Sequence, residues 1–140
     1  MSSFDVWFPK QGQRVLWPST VRLSTDYFDS LRRHAVPLHD HALIALSGNA
    51  MALDVYAWLA QRLHRVDPYK PALVPWTSLQ EQFGWHYERL RDFRRAFKQT
   101  VALVHGEYRG ARIEMDDRGM TLRCSPSPVK GREWVTIRKR

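Results

Sequence analysis

Apolar positions along this chain follow two rhythms. Aromatic and β-branched residues crowd two short runs, residues 4–9 and 15–23, around a segment that holds the turn residue Gly12, which predicts a hairpin. Past it, Ser24 is placed to cap a short helix carrying Tyr27, Phe28 and Leu31 that ends before Pro37, and another short helix is predicted over residues 40–46. Asn49 then caps the strongest helical pattern, which runs to about Arg65 with Leu53, Tyr56, Leu59, Ala60, Leu63 and Val66 on its inward face. Asp67, Pro68 and Pro71 end it, and Leu73 and Val74 make a short strand before the Pro75 and Trp76 corner. From there a helix capped by Thr77, with Gln80 completing a capping box, turns Leu79 and Phe83 inward and breaks at Gly84. A long helix follows from Tyr87, where Leu90, Phe93, Phe97, Val101 and Val104 recur at three- and four-residue steps. Residues 108–115 and 120–125 alternate as strands around the charged turn Asp116, Asp117, Arg118 and Gly119.

Helix, strand, helix, turn, helix and hairpin is the order of a winged helix-turn-helix, an α+β fold. The predicted organisation is one domain over residues 1–128, with a hairpin-and-helix extension (1–46) and a core (47–128), followed by a basic tail (129–140). No internal repeat or low-complexity tract interrupts it.

Charge placement changes the picture more than charge size. The net charge is +8, yet residues 86–140 carry 14 Lys and Arg against 7 Asp and Glu, whereas residues 1–85 carry 8 against 7. Positive charge gathered on one part of a molecule concentrates polyanions there and makes their binding salt-dependent, so nucleic acid is the leading partner, and with the winged-helix order double-stranded DNA is the expected form. Membrane binding is expected to be absent, because the basic helix carries its aromatic residues on the face its core needs, and no apolar run is long enough for a span. The single cysteine, Cys124, falls in a predicted strand and excludes an intramolecular disulfide or a CxxC zinc arrangement. A cytoplasmic location is the expectation; oligomeric state stays open.

Trp85, His86 and Tyr87 lie at the amino end of the long helix, where recognition helices approach base edges. Trp85 can pack against the turn or reach DNA. Arg89 and Arg91 present planar forks suited to guanine or phosphate. Arg94 sits nearest the apolar stripe, where a salt bridge competes with DNA contact, while Arg95 and Lys98 point outward; a merely solvated cationic face is the alternative for the whole ridge. The hairpin would offer Arg112, Arg118 and Arg123. His34, His39 and His41 near Asp40 suggest ligands for a metal, but a two-residue spacing on a helix does not converge, so no metal, cofactor or catalytic role is assigned. Trp58 projects about opposite the Leu53, Leu59 and Leu63 stripe, toward packing with the amino-terminal hairpin and helix or toward a protein interface.

Several stretches together carry a resemblance. Leu16, Trp17, Ser19, Thr20, Leu23, Ser24, Pro37 and Leu38, then residues 52–60 with Arg62 and Leu63, resemble the conserved region of plasmid-encoded replication initiators of the RepA type. So do Pro75, Trp76, Leu79, Gln82, Phe83, Gly84, Tyr87 and residues 92–97, and the closing Gly119, Leu122, Ser125, Pro126 and Pro128. The resemblance implies a winged-helix module that binds origin repeats of a plasmid and helps recruit host replication proteins. A transcriptional repressor, or a structural subunit of a multi-protein and even RNA-guided complex, would use the same module.

Overall fold

Five helices, a strand pair and a three-stranded antiparallel sheet form a mixed α+β structure, here a computed structural model that describes residues 2–5 and 20–129. The chain divides into two units, Met1–Ala35 and Val36–Arg140. In the first, β1 (Ser2–Asp5) pairs antiparallel with β2 (Thr20–Leu23), with Ser2 opposite Leu23. Only the outer part of the expected hairpin is therefore seen, and the turn near Gly12 lies outside the described residues. Helix α1 (Thr25–Arg33) starts as its cap requires: the Ser24 hydroxyl accepts the Tyr27 N–H at 3.3 Å.

The second unit begins its helices with α2 (Asp40–Leu46) and α3 (Ala50–Arg62), the latter tightening into a 3-10 turn, Leu63–Arg65, where the sequence pattern ends. Asn49 Oδ1 accepts the Ala52 N–H at 3.0 Å, satisfying one orphan amide of the first turn. Residues Ala52, Val55, Tyr56, Leu59, Ala60 and Leu63 are buried, so the inward face is rotated slightly from expectation and leaves Leu53 on its flank, half-buried. The half-buried Trp58 ring meets Phe83 edge-on at 5.4 Å.

Strand β3 (Ala72–Pro75) runs directly into α4 (Trp76–Phe83); α5 (Leu90–Glu107) follows, then β4 (Ile113–Met115) and β5 (Gly119–Leu122). The sheet order is β3-β5-β4, antiparallel throughout, with Val74 opposite Met120 and Ile113 opposite Leu122. Val74, Met120 and Leu122 belong with Tyr56, Leu79, Phe93 and Phe97 to one buried cluster. Each such side chain removed from water contributes roughly 1.5–3 kcal/mol.

Three local expectations are corrected. Pro75, not Thr77, holds the cap position of α4, with no side-chain bond; the Trp76 N–H is instead taken by Arg118 O at 3.3 Å, across from the β4–β5 turn. Gln80 closes no capping box, because its amide donates forward to Tyr87 O at 2.9 Å. Helix α5 starts three residues after Tyr87, whose N–H closes a turn onto Gly84 O at 2.9 Å. Cys124 lies just past β5, in a segment held by Arg123 N–H to Arg112 O and Ser125 N–H to Leu63 O.

Behind the sheet, the Tyr108 hydroxyl donates to Pro126 O at 2.6 Å and its ring stands edge-on to Tyr56 at 6.2 Å. Burial, with the Tyr56 phenol adding to it, pushes the Tyr108 phenol from 10.0 up to about 12. The native state thus holds this proton more tightly than the unfolded chain. Its contribution to stability is complete below pH 10 and is lost as pH rises toward about 12, a decline of ~2 kcal/mol. Chemical denaturation across that window should show the decline in the wild type and a flatter curve in Tyr108→Phe. The variant starts about 1 kcal/mol lower at neutral pH, having lost the bond to Pro126.

Candidate nucleic-acid interface

Helix α5 has two faces, and its spacing decides which residues occupy each. Phe93, Phe97, Thr100, Val101 and Val104 are buried, following the three- and four-residue steps of one helical side. Aromatic contacts lock this side down: Phe93 and Phe97 lie 5.2 Å apart, Phe83 stacks on Phe97 at 5.6 Å and Trp76 meets it edge-on at 6.0 Å. Arg91, Arg95 and Lys98, four and three residues apart, fall on an exposed side. With Leu90 and Arg94 they line a shallow groove of about 540 Å³.

Ion pairing separates these cations into two sets. Among the described residues no carboxylate lies within ion-pair distance of Arg89, Arg95, Lys98 or Arg112, and all four are exposed. Arg91 has only its neighbour Asp92, at 3.9 Å. Arg94, by contrast, is engaged: Nη2 donates to Asp117 Oδ1 at 3.1 Å and the guanidinium lies 4.9 Å from the Trp76 ring centre. Arg118 pairs with Asp116 at 3.0 Å and Arg123 with Glu114 across the hairpin at 3.2 Å. Exposed pairs of this kind are worth about 0–1 kcal/mol, so a phosphate can take the place of either carboxylate.

The β4–β5 turn is held in shape by Asp116. Its carboxylate accepts the N–H groups of Arg118 (2.8 Å) and Gly119 (3.2 Å) as well as the Arg118 guanidinium. The Arg118 N–H above all, then its side chain, keeps this carboxyl below the usual carboxylate range.

Trp76 ties that turn to α5, a role the sequence pattern did not reveal. Its indole N–H donates to Asp116 O at 2.8 Å, its own N–H reaches Arg118 O, and its ring lies beneath Arg94 and, at 5.8 Å, Lys98. The one available signal was its position at the Pro75 corner, where a buried indole must find an acceptor for its N–H. Asp117, read as an ordinary turn former, is the other missed participant.

At the amino end of α5 no side chain caps the helix; Arg89 occupies the cap position. Tyr87 and Phe93 meet at 5.8 Å, His86 lies on Tyr87 at 4.5 Å, and Trp85 touches His86 edge-on at 5.8 Å. Trp85 does not pack against the turn: it is 82% exposed.

The histidines go elsewhere. His34 Nδ1 bonds Ser30 O within α1, His41 Nδ1 meets Glu107 Oε2 at 3.3 Å, and the His39 N–H donates to the Tyr56 hydroxyl. Among the described residues no three His, Cys, Asp or Glu side chains gather as a metal site, and no helix is long and apolar enough to cross a membrane.

No curated protein and no solved structure matches this chain. A model of the family described as plasmid-encoded RepA protein matches residues 3–76, from the strand pair through the first residue of α4, so the likeness noted at residues 79–97 and 119–128 lies beyond it. The match takes in just over half of the chain, which therefore belongs to the family of plasmid-encoded RepA proteins.

Proposed function

We propose that residues 47–128 form a winged helix-turn-helix that binds double-stranded DNA, and that the protein acts as a plasmid replication initiator reading origin repeats. The order α3, β3, α4, α5, β4, β5 and the sheet order β3-β5-β4 support the winged-helix reading. Family membership supports the plasmid role. The observation that carries the DNA-binding reading is the exposed, acid-free pair Arg95 and Lys98 on a helix whose opposite side is anchored by fully buried Phe93 and Phe97. A cationic ridge on a rigid support loses little entropy on meeting phosphates.

In this reading α5 lies along the major groove. Arg95 and Lys98 take phosphates, and the uncapped amino end of the helix adds its partial positive charge. Arg89 and Arg91, with Trp85, His86 and Tyr87 beside them, approach base edges. Arg94 acts chiefly by holding the wing turn through Asp117, and the wing arginines Arg112, Arg118 and Arg123 set register on the backbone, Arg118 and Arg123 exchanging their carboxylates for phosphate. No step in this reading requires a metal, a cofactor or catalysis.

Fluorescence anisotropy with a duplex bearing the repeats of the cognate plasmid origin tests it. Arg91→Ala with Arg95→Ala should weaken binding about tenfold or more at moderate salt. Wild-type affinity in that double variant rejects the assignment of α5 as the reading helix.

A further inference from the structure

Resting on the DNA-binding reading, we propose that Trp85 is a stacking platform for an unpaired DNA base, so that the protein prefers duplexes containing an extruded or unpaired nucleotide over fully paired ones. Large aromatic side chains at 82% exposure are normally scattered and unsupported; this one ends a ladder. Trp85 touches His86 at 5.8 Å, His86 lies on Tyr87 at 4.5 Å, Tyr87 meets Phe93 at 5.8 Å, and Phe93 is wholly buried. The backbone beneath the ladder is fixed as well, by Tyr87 N–H to Gly84 O and Gln80 Nε2 to Tyr87 O, both at 2.9 Å. Gly84 itself sits so close to the Phe93 ring that a Cβ there would overlap it. The outermost ring thus stands at the solvent end of a row of neighbouring rings whose innermost member is buried.

Charge around it selects the partner. Arg89 and Arg91 follow within six residues, both exposed, and no carboxylate among the described residues pairs with Arg89. An exposed indole four residues before Arg89, a guanidinium with no carboxylate partner among the described residues, fits a base whose own phosphates lie against the cations, because every base offers a π-face and stacking tolerates any sequence. Inside an intact duplex that face is covered by its neighbours, so the ring can only meet base edges there. Unpairing uncovers it.

Three fluorescein-labelled DNA probes separate the outcomes: a fully paired duplex, the same duplex with one bulged thymine, and the corresponding single strand. Wild-type protein should bind the bulged duplex more tightly than the paired one. Trp85→Ala should lose roughly tenfold on the bulged duplex and the single strand and a smaller, roughly threefold amount on the paired duplex, where the ring meets base edges only, while Trp85→Phe retains most of the wild-type preference. Equal losses on all three probes, or no loss on any, overturn the stacking role while leaving duplex binding in place. Absence of duplex binding by the wild type would instead defeat the underlying reading. Thermal denaturation of Trp85→Ala should match the wild type, since the ring buries little.

Discussion

Gly119→Ala should lower the stability of the Val36–Arg140 unit by about 3 kcal/mol or more, a fall in Tm on the order of 15 °C by circular dichroism. A Cβ at this position would overlap Val74 O and lie 2.9 Å from Pro75 Cα, and the backbone there has φ +157°. Neither contact is with a side chain that could swing aside. Both belong to β3, whose last residue pairs with Gly119 and whose continuation, Trp76, donates its N–H to Arg118 O. Relief therefore requires the β4–β5 turn to leave the start of α4, which breaks the Trp76 to Asp116 bond and the Arg94 to Asp117 pair along with it. Gly106→Ala is the control. Nothing lies within 4 Å of a Cβ there, the residue sits inside α5, and the change should stabilise by about 0.5–1 kcal/mol. If Gly119→Ala melts with the wild type, the close packing of β5 on β3 is wrong.

Gly84, ahead of the interface helix, illustrates what a sequence yields. Gly84 is legible as the residue that ends α4, yet its φ of −136° is not one that demands glycine. The requirement is space for the Phe93 ring, a residue nine places along that no local pattern connects to it. Local signals worked where the determinant is local. Ser24 and Asn49 cap as expected, α2 has the predicted limits, and the α5 stripe of Phe93, Phe97, Val101 and Val104 is buried. Thr77 failed as a cap because a strand feeds straight into α4, and a backbone carbonyl from the distant turn supplied the missing acceptor.

Much of the ridge could also be read from spacing alone, since helical periodicity fixes which side each cation occupies. Its neutralisation could not. Arg94 meets Asp117 twenty-three residues away and Arg123 meets Glu114 across a strand pair, contacts set by tertiary register. The consequence is a division of labour that composition hides: the hairpin arginines Arg118 and Arg123 are largely balanced, while Arg89, Arg95, Lys98 and, beside the hairpin, Arg112 have no carboxylate partner among the described residues.

That division makes charge reversal on α5 the change with the largest expected effect on binding. Arg95→Glu with Lys98→Glu should weaken duplex DNA binding on the order of 100-fold, because two phosphate contacts and their counterion release are replaced by repulsion. The fold should survive. Both residues are exposed, neither has a carboxylate partner among the described residues, and the loss is confined to the weak contact of Lys98 with the Trp76 ring, worth about 0.5–1 kcal/mol. Lys70→Glu, an equally exposed lysine in the loop after α3, should leave affinity within about threefold and so separates a located contact from a general effect of net charge. A comparable loss in both variants would mean that DNA follows overall charge and not the α5 ridge.

The central claim is that α5 presents its cations directly to phosphates, and the salt dependence of duplex binding measures that count. For wild type and Arg95→Ala with Lys98→Ala, log K against log salt concentration should give straight lines, the variant's shallower by about 2. Parallel lines, with the variant displaced or unchanged in affinity, would contradict it.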